Sequence, residues 1–141
     1  MAHEYLHRVQ YYETDGMRIV HHSNYIRWFE EARMFGMEED GFGYDKLEER
    51  GIIIPCLSVE CDYKAAVRFG SIVKIFCEVE SFNGLRFTIR YIVTSEDGSI
   101  LHATGRSTHC FLGMDMRPVN VKKHAPDIYR YVLGDVENKQ H

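Results

Sequence analysis

Residues 23–40 read SNYIRWFEEARMFGMEED. At about 100° per residue, Tyr25, Trp28, Phe29, Ala32, Phe35 and Gly36 fall on one continuous face. Ile26 and Met37 flank that face, and Arg27, Glu31 and Glu38 lie opposite. The spacing predicts a mostly buried helix over 24–40, with Ser23 as its N-cap, because a serine hydroxyl can accept a bond from a first-turn amide. Gly41 and Gly43 stop it. Ala32 and Gly36, one turn apart, leave a shallow strip where a sheet backbone can approach closely. Without such a contact Gly36 would cost about 1 kcal/mol relative to alanine. Arg33 sits at the edge of the apolar face, which predicts a carboxylate partner such as Glu30 or one outside the helix.

Upstream of the helix, Tyr5, His7, Val9 and Tyr11 alternate with Leu6, Arg8, Gln10 and Tyr12. That period of two predicts a first strand ending near Glu13, followed by a turn at Asp15-Gly16. Beyond the long helix, a short helix is expected from Tyr44 to Arg50, ended by Gly51. Alternation then returns over Leu57–Lys64, Val73–Glu80 and Phe87–Val93. Asn83-Gly84 and Asp97-Gly98 tolerate the positive φ angles of tight hairpins, so the last three strands should form an antiparallel meander. The final strand, about Ser99–Leu112, carries Gly105 as an expected bend or bulge. Pro118 ends the region, and a terminal helix is expected over Lys122–Leu133. The sum is α+β, a long helix laid on a curved antiparallel sheet. So short a sheet cannot surround a helix of four or more turns, and its leftover apolar surface and open edges predict a dimer.

The 141 residues suffice for one domain, expected over 1–135, with 136–141 as a frayed tail. Hydrophobic residues make up 45%, enough for a real core, so a disordered or fibrous chain is excluded. A net charge of −4 argues against broad binding to nucleic acid or to an anionic membrane. No apolar run is long enough to span a bilayer, and MAHEYLHRVQ lacks the layout of a signal peptide, so a cytoplasmic protein is expected. Cys56, Cys61, Cys77 and Cys110 show no C-x-x-C spacing and read as buried free thiols.

The densest group of reactive residue types runs from Tyr11 to Tyr25, joining the first strand to the start of the buried helix. The unpaired N–H groups of a helix start carry partial positive charge and can polarise a carbonyl or stabilise an oxyanion. Asp15 is the natural acid-base or nucleophilic group beside them, and partial exclusion of water would make it more reactive. Asp-Gly is equally an ordinary turn. His21 and His22 could shuttle protons or, with His109, bind a metal. Adjacent histidines on an extended backbone point apart, however, and His21, His22 and His109 form no H-x-x-x-H spacing among themselves. Serine-hydrolase, P-loop and Rossmann motifs are absent as well.

Tyr12-x-x-Asp15, Val20-x-His22, Asn24-Tyr25 and Phe29-Glu30-x-Ala32-Arg33, in that order and spacing, resemble the hotdog-fold acyl-CoA thioesterases. The specific group includes 4-hydroxybenzoyl-CoA thioesterase and the YbgC-like enzymes, and the likeness runs from about Tyr11 to Val121. It implies a hotdog fold, dimers that pair their sheets or homotetramers, and active sites at subunit interfaces. It implies further that Asp15 attacks the thioester or activates water and that the His22 amide polarises the carbonyl. The His22 side chain would assist, and Tyr11 and Tyr25 would line the pocket. Gly16-Met17-Arg18-Ile19 departs from the small-residue run of many relatives, placing a thioether and a guanidinium near the pocket mouth.

The expected activity is therefore hydrolysis of an acyl-CoA thioester to a carboxylic acid and CoA, with no cofactor or metal. Asp15 and His22 are the catalytic residues that the resemblance implies, and the acyl group is expected against the Tyr25 and Phe29 side of the helix. Lys64, Arg68, Arg86, Arg90, Arg117, Lys122, Lys123 and Arg18 are candidate partners for CoA phosphates. The alternative is a non-catalytic hotdog module that binds acyl-CoA or acyl carrier protein. A hotdog dehydratase is disfavoured by the absence of a His-Phe-Pro motif.

Overall fold

The computed structural model describes residues 1–138. Strand β1 (His3–Arg8) is followed by a 3-10 turn (Tyr11–Glu13), the long helix α1 (Ser23–Glu39) and the short helix α2 (Tyr44–Glu49). Then come β2 (Ile52–Ile53), β3 (Cys56–Tyr63), β4 (Ile72–Phe82), β5 (Arg86–Ser95), β6 (Leu101–Cys110) and β7 (Leu112–Gly113). Helices α3 (Val121–His124) and α4 (Pro126–Asn138) complete the described chain. Five strands form one antiparallel sheet in the order β1-β4-β5-β6-β3, and β2 pairs with β7 apart from it. This is the expected α+β hotdog arrangement, with α1 packed on the sheet.

Alternation sends Val73, Ile75, Cys77 and Val79 of β4 and Phe87, Ile89, Tyr91 and Val93 of β5 into one core with Trp28, Phe29 and Ala32 of α1. The hairpins form where expected, with Gly84 and Gly98 at φ +94° and +79°. Gly36 lies where α1 meets β1, an ideal Cβ there falling 3.1 Å from the His3 ring. Gly105 marks no bulge. Its missing side chain makes room for the Phe29 ring, which stacks on Tyr91 with centroids 4.3 Å apart.

Several expectations need correction. The first strand stops at Arg8, because Gln10 and Glu13 close a reciprocal cap that starts the 3-10 turn and leaves Tyr11 77% exposed. The N-cap of α1 is His22, and Ser23 is already helical. Pro126 splits the terminal helix, since it has no N–H to continue α3 and is well suited to open α4. Helix α4 then runs to Asn138 and takes in residues expected in the tail, while 139–141 lie outside the described residues. All four cysteines are free, yet Cys77 alone is fully buried and Cys56 is exposed on edge strand β3.

Arg33 meets no carboxylate among the described residues. It is 8% exposed and donates to the hydroxyls of Tyr44 (2.9 Å) and Tyr91 (3.1 Å). Tyr91 Oη lies 2.6 Å from Ser107 Oγ, which lies 2.7 Å from His109 Nε2. A guanidinium only donates, so the relay runs from Arg33 through Tyr91 and Ser107 to a neutral His109. Burial, reinforced by the Arg33 charge, lowers the His109 pKa from 6.5 to about 4. His109 is thus a core residue rather than a metal ligand alongside His21 and His22.

Candidate active site

The segment between the 3-10 turn and α1 is held at several points. Thr14 bridges Val20 and Ile19 bridges Arg68, while Val20 N–H donates to the Val67 carbonyl at 2.8 Å. Inside this loop, Asp15 N–H donates to the Ile19 carbonyl (2.9 Å) and Arg18 N–H donates to the Asp15 carbonyl (3.0 Å). Arg18 takes the left-handed conformation at φ +66°. Asp15 Oδ1 accepts Met17 N–H at 2.8 Å, the Asx turn that the Asp-Gly reading anticipated. Among the described residues Oδ2 makes no hydrogen bond.

Glu13 anchors the loop from below. Its carboxylate, 4% exposed, accepts from His7 Nε2 (2.7 Å), Gln10 N–H (2.8 Å) and the Trp28 indole N–H (2.6 Å). Burial alone would raise the pKa of this carboxyl, but the Gln10 amide, His7 and Trp28 together hold it below its ordinary value. Sequence reading missed Glu13. The local signal was the Gln10-x-x-Glu13 spacing, a capping box at the start of the 3-10 turn.

Asp15 and His22 line a single cavity of about 300 Å³ together with Met17, Ile19, Val20, Tyr25, Tyr63, Lys64, Ala65 and Ala66. His22 N–H makes no hydrogen bond among the described residues. Ser23 N–H, by contrast, is taken by His21 Nδ1 at 3.2 Å, and Asn24 N–H by the His21 carbonyl at 3.0 Å. The Tyr63 hydroxyl donates to the His22 carbonyl at 2.9 Å, and the Tyr63 ring meets Tyr25 edge-on at 4.9 Å. Burial pushes both phenols up to about 12, so they stay protonated at neutral pH.

The other expected site residues are placed elsewhere. Phe29 is 1% exposed in the core and Tyr11 packs edge-on against Phe69, so neither lines the cavity. The His21 and His22 rings stack at 4.1 Å, because His22 already has helical torsions rather than an extended backbone. Among the described residues no group of three His, Cys, Asp or Glu side chains is placed to hold a metal ion. Of the basic candidates only Lys64 lines the cavity. Arg90 instead binds Glu78 at 2.7 Å, and Lys122 lies over the Tyr129 ring at 5.6 Å.

Known proteins bear on this geometry. A candidate esterase of Aquifex aeolicus is 38% identical over 108 residues, 77% of this chain and 83% of that protein. A candidate acyl-CoA thioesterase of Bacillus subtilis, YneP, is 29% identical over 119 residues, 84% of this chain and 86% of that protein. The crystal structure of DHNA-CoA thioesterase from Staphylococcus aureus superposes with a TM-score of 0.88 at 28% identity, covering 98% of this chain and 94% of that one. The model of the thioesterase-like superfamily matches residues 9–129. A chain matched over so much of its length, by both sequence and fold, belongs to the thioesterase-like superfamily.

Proposed function

We propose that the protein hydrolyses acyl-CoA thioesters, R–CO–S–CoA plus water giving a carboxylic acid and CoA, within the 4-hydroxybenzoyl-CoA thioesterase and YbgC-like group. The observation that carries this reading is the shared cavity of Asp15 and His22. One Asp15 oxygen is tied to the Met17 amide, which fixes the side chain and leaves the other oxygen to attack the thioester carbon or to draw a proton from water. The His22 N–H, without a protein acceptor, takes the charge that develops on the carbonyl oxygen, and the thiolate leaves. The His22 imidazole, exposed at the same cavity, assists proton transfer. Tyr25, Tyr63 and Met17 receive the acyl group.

The assembly is a homodimer or homotetramer. Edge strand β3 exposes Leu57, Val59 and Tyr63 at 45%, 39% and 47%, an unpaired apolar edge suited to a second copy. The four free thiols suit a reducing, cytoplasmic setting.

The test is thiol release from a panel of short, medium and aryl CoA thioesters by the wild type and by Asp15→Asn side by side. Wild-type turnover should exceed that of the variant by 100-fold or more, with the fold retained. Equal rates on every member would favour the non-catalytic acyl-CoA or acyl carrier protein module.

A further inference from the structure

Asn24 is 7% exposed at the second position of α1, where a polar side chain would ordinarily reach solvent. Its Nδ2 donates to two main-chain carbonyls, Glu13 at 2.9 Å and His21 at 3.3 Å. Both partners are acceptors, so the nitrogen rather than the oxygen of the amide faces them. The same two carbonyls also receive main-chain donors, Glu13 that of His21 (2.8 Å) and His21 that of Asn24 (3.0 Å).

The His21 carbonyl and the His22 N–H belong to one peptide unit. In a trans peptide the two point in opposite directions, so drawing the carbonyl toward Asn24 turns the N–H away from it. Donors on the carbonyl also polarise the N–H across the unit. We propose that Asn24 is a positioning residue for thioester cleavage, its buried amide clamping the Glu13 and His21 carbonyls so that the His22 N–H is held in the orientation that meets the substrate carbonyl. The proposal rests on the reading of that N–H as the carbonyl polariser. Asn24 does not touch substrate. It acts through the peptide plane it holds.

The test compares wild type, Asn24→Ala, Asn24→Ser and Asp15→Asn on the best CoA thioester of the panel, with free CoA affinity measured by calorimetry. Asn24→Ala keeps both main-chain bonds of the loop. Its kcat should fall about 10- to 100-fold, less than the loss for a deleted oxyanion donor, while KM and CoA affinity stay within threefold. Asn24→Ser keeps one donor within reach of the His21 carbonyl and should fall between, which serves as the second variant if the alanine change impairs folding. Asn24 variants with wild-type kcat, alongside an inactive Asp15→Asn, overturn the positioning role alone. Loss of CoA affinity in proportion to kcat overturns it in favour of a merely structural role. Wild-type turnover no faster than Asp15→Asn removes the site reading and this proposal together.

Discussion

The Trp28 indole N–H and Glu13 Oε2 are joined at 2.6 Å in the layer beneath the cavity, tying the middle of α1 to the residue from which the Asp15 loop departs. All the groups that face this carboxylate are donors, and hydrogen bonds to an ionised acceptor are the stronger kind. Glu13→Gln places an amide NH2 against at least one of those donors. It should destabilise the protein by about 1–3 kcal/mol. Chemical denaturation measures that loss, and emission from the single tryptophan reports the change locally. Folding lowers the Glu13 pKa, so its contribution is complete above the ordinary carboxyl range and is lost as pH falls through the folded value. A denaturation midpoint equal to the wild type at pH 7 would contradict the anchoring role.

His109 should make stability depend on pH in a different window. Its pKa falls from 6.5 to about 4 on folding, so between these values the unfolded chain binds the extra proton. Stability is then complete above 6.5 and declines as pH falls toward 4, by about 3 kcal/mol in all. Protonation would also break the relay, since Nε2 could no longer accept from Ser107. His109→Gln keeps a partner for Ser107 but does not titrate. The difference in unfolding free energy between wild type and variant should therefore change steadily between pH 7 and pH 4.5. A constant difference would show that His109 titrates alike in the folded and unfolded chain.

What was legible in the sequence follows from periodicity and turn chemistry. Helix α1, the β4-β5-β6 meander and both Gly turns come from patterns of a few residues, whereas Asp15 stood out as a candidate by its position before a helix start and His22 only through the resemblance to the hotdog thioesterases. The Arg33–Tyr91 and Glu13–Trp28 pairs were not legible, because the two residues of each pair lie on different elements and are brought near only by packing. Tyr91 is 58 residues from Arg33, a separation that no local pattern spans. Gly105 was misread for the same reason. A glycine in a strand signals missing bulk, and whether a bend or another side chain uses the space depends on the helix across the layer.

The Phe29–Gly105 contact gives a direct test of that correction. A Cβ at Gly105 would overlap the edge of the Phe29 ring and sit 2.8 Å from the Glu60 carbonyl oxygen. Gly105→Ala should cost about 1–3 kcal/mol by overpacking. Phe29→Leu removes the ring and should cost less in the Gly105→Ala background than alone. A double-mutant cycle by thermal or urea unfolding measures this coupling. Additive losses would mean that the pair does not share the space.

Lys64 is the basic side chain that lines the cavity, at the end of β3 beside Tyr63. Its main-chain N–H is fixed to the His102 carbonyl at 2.8 Å, so the backbone beneath it stays in place when the side chain is changed. In a chain of net charge −4 a local cation at the cavity mouth is the way to attract an anionic CoA. Lys64→Ala should raise KM several-fold at low ionic strength and leave kcat within about twofold, because binding energy is lost equally from ground and transition states. The increase should shrink as salt is added, since an exposed charge is screened beyond about 8 Å at physiological ionic strength. Arg90→Ala is the control. That guanidinium is engaged by Glu78, and its loss should leave KM unchanged. Equal KM values for Lys64→Ala and wild type at low salt would assign the phosphate contact to another cation.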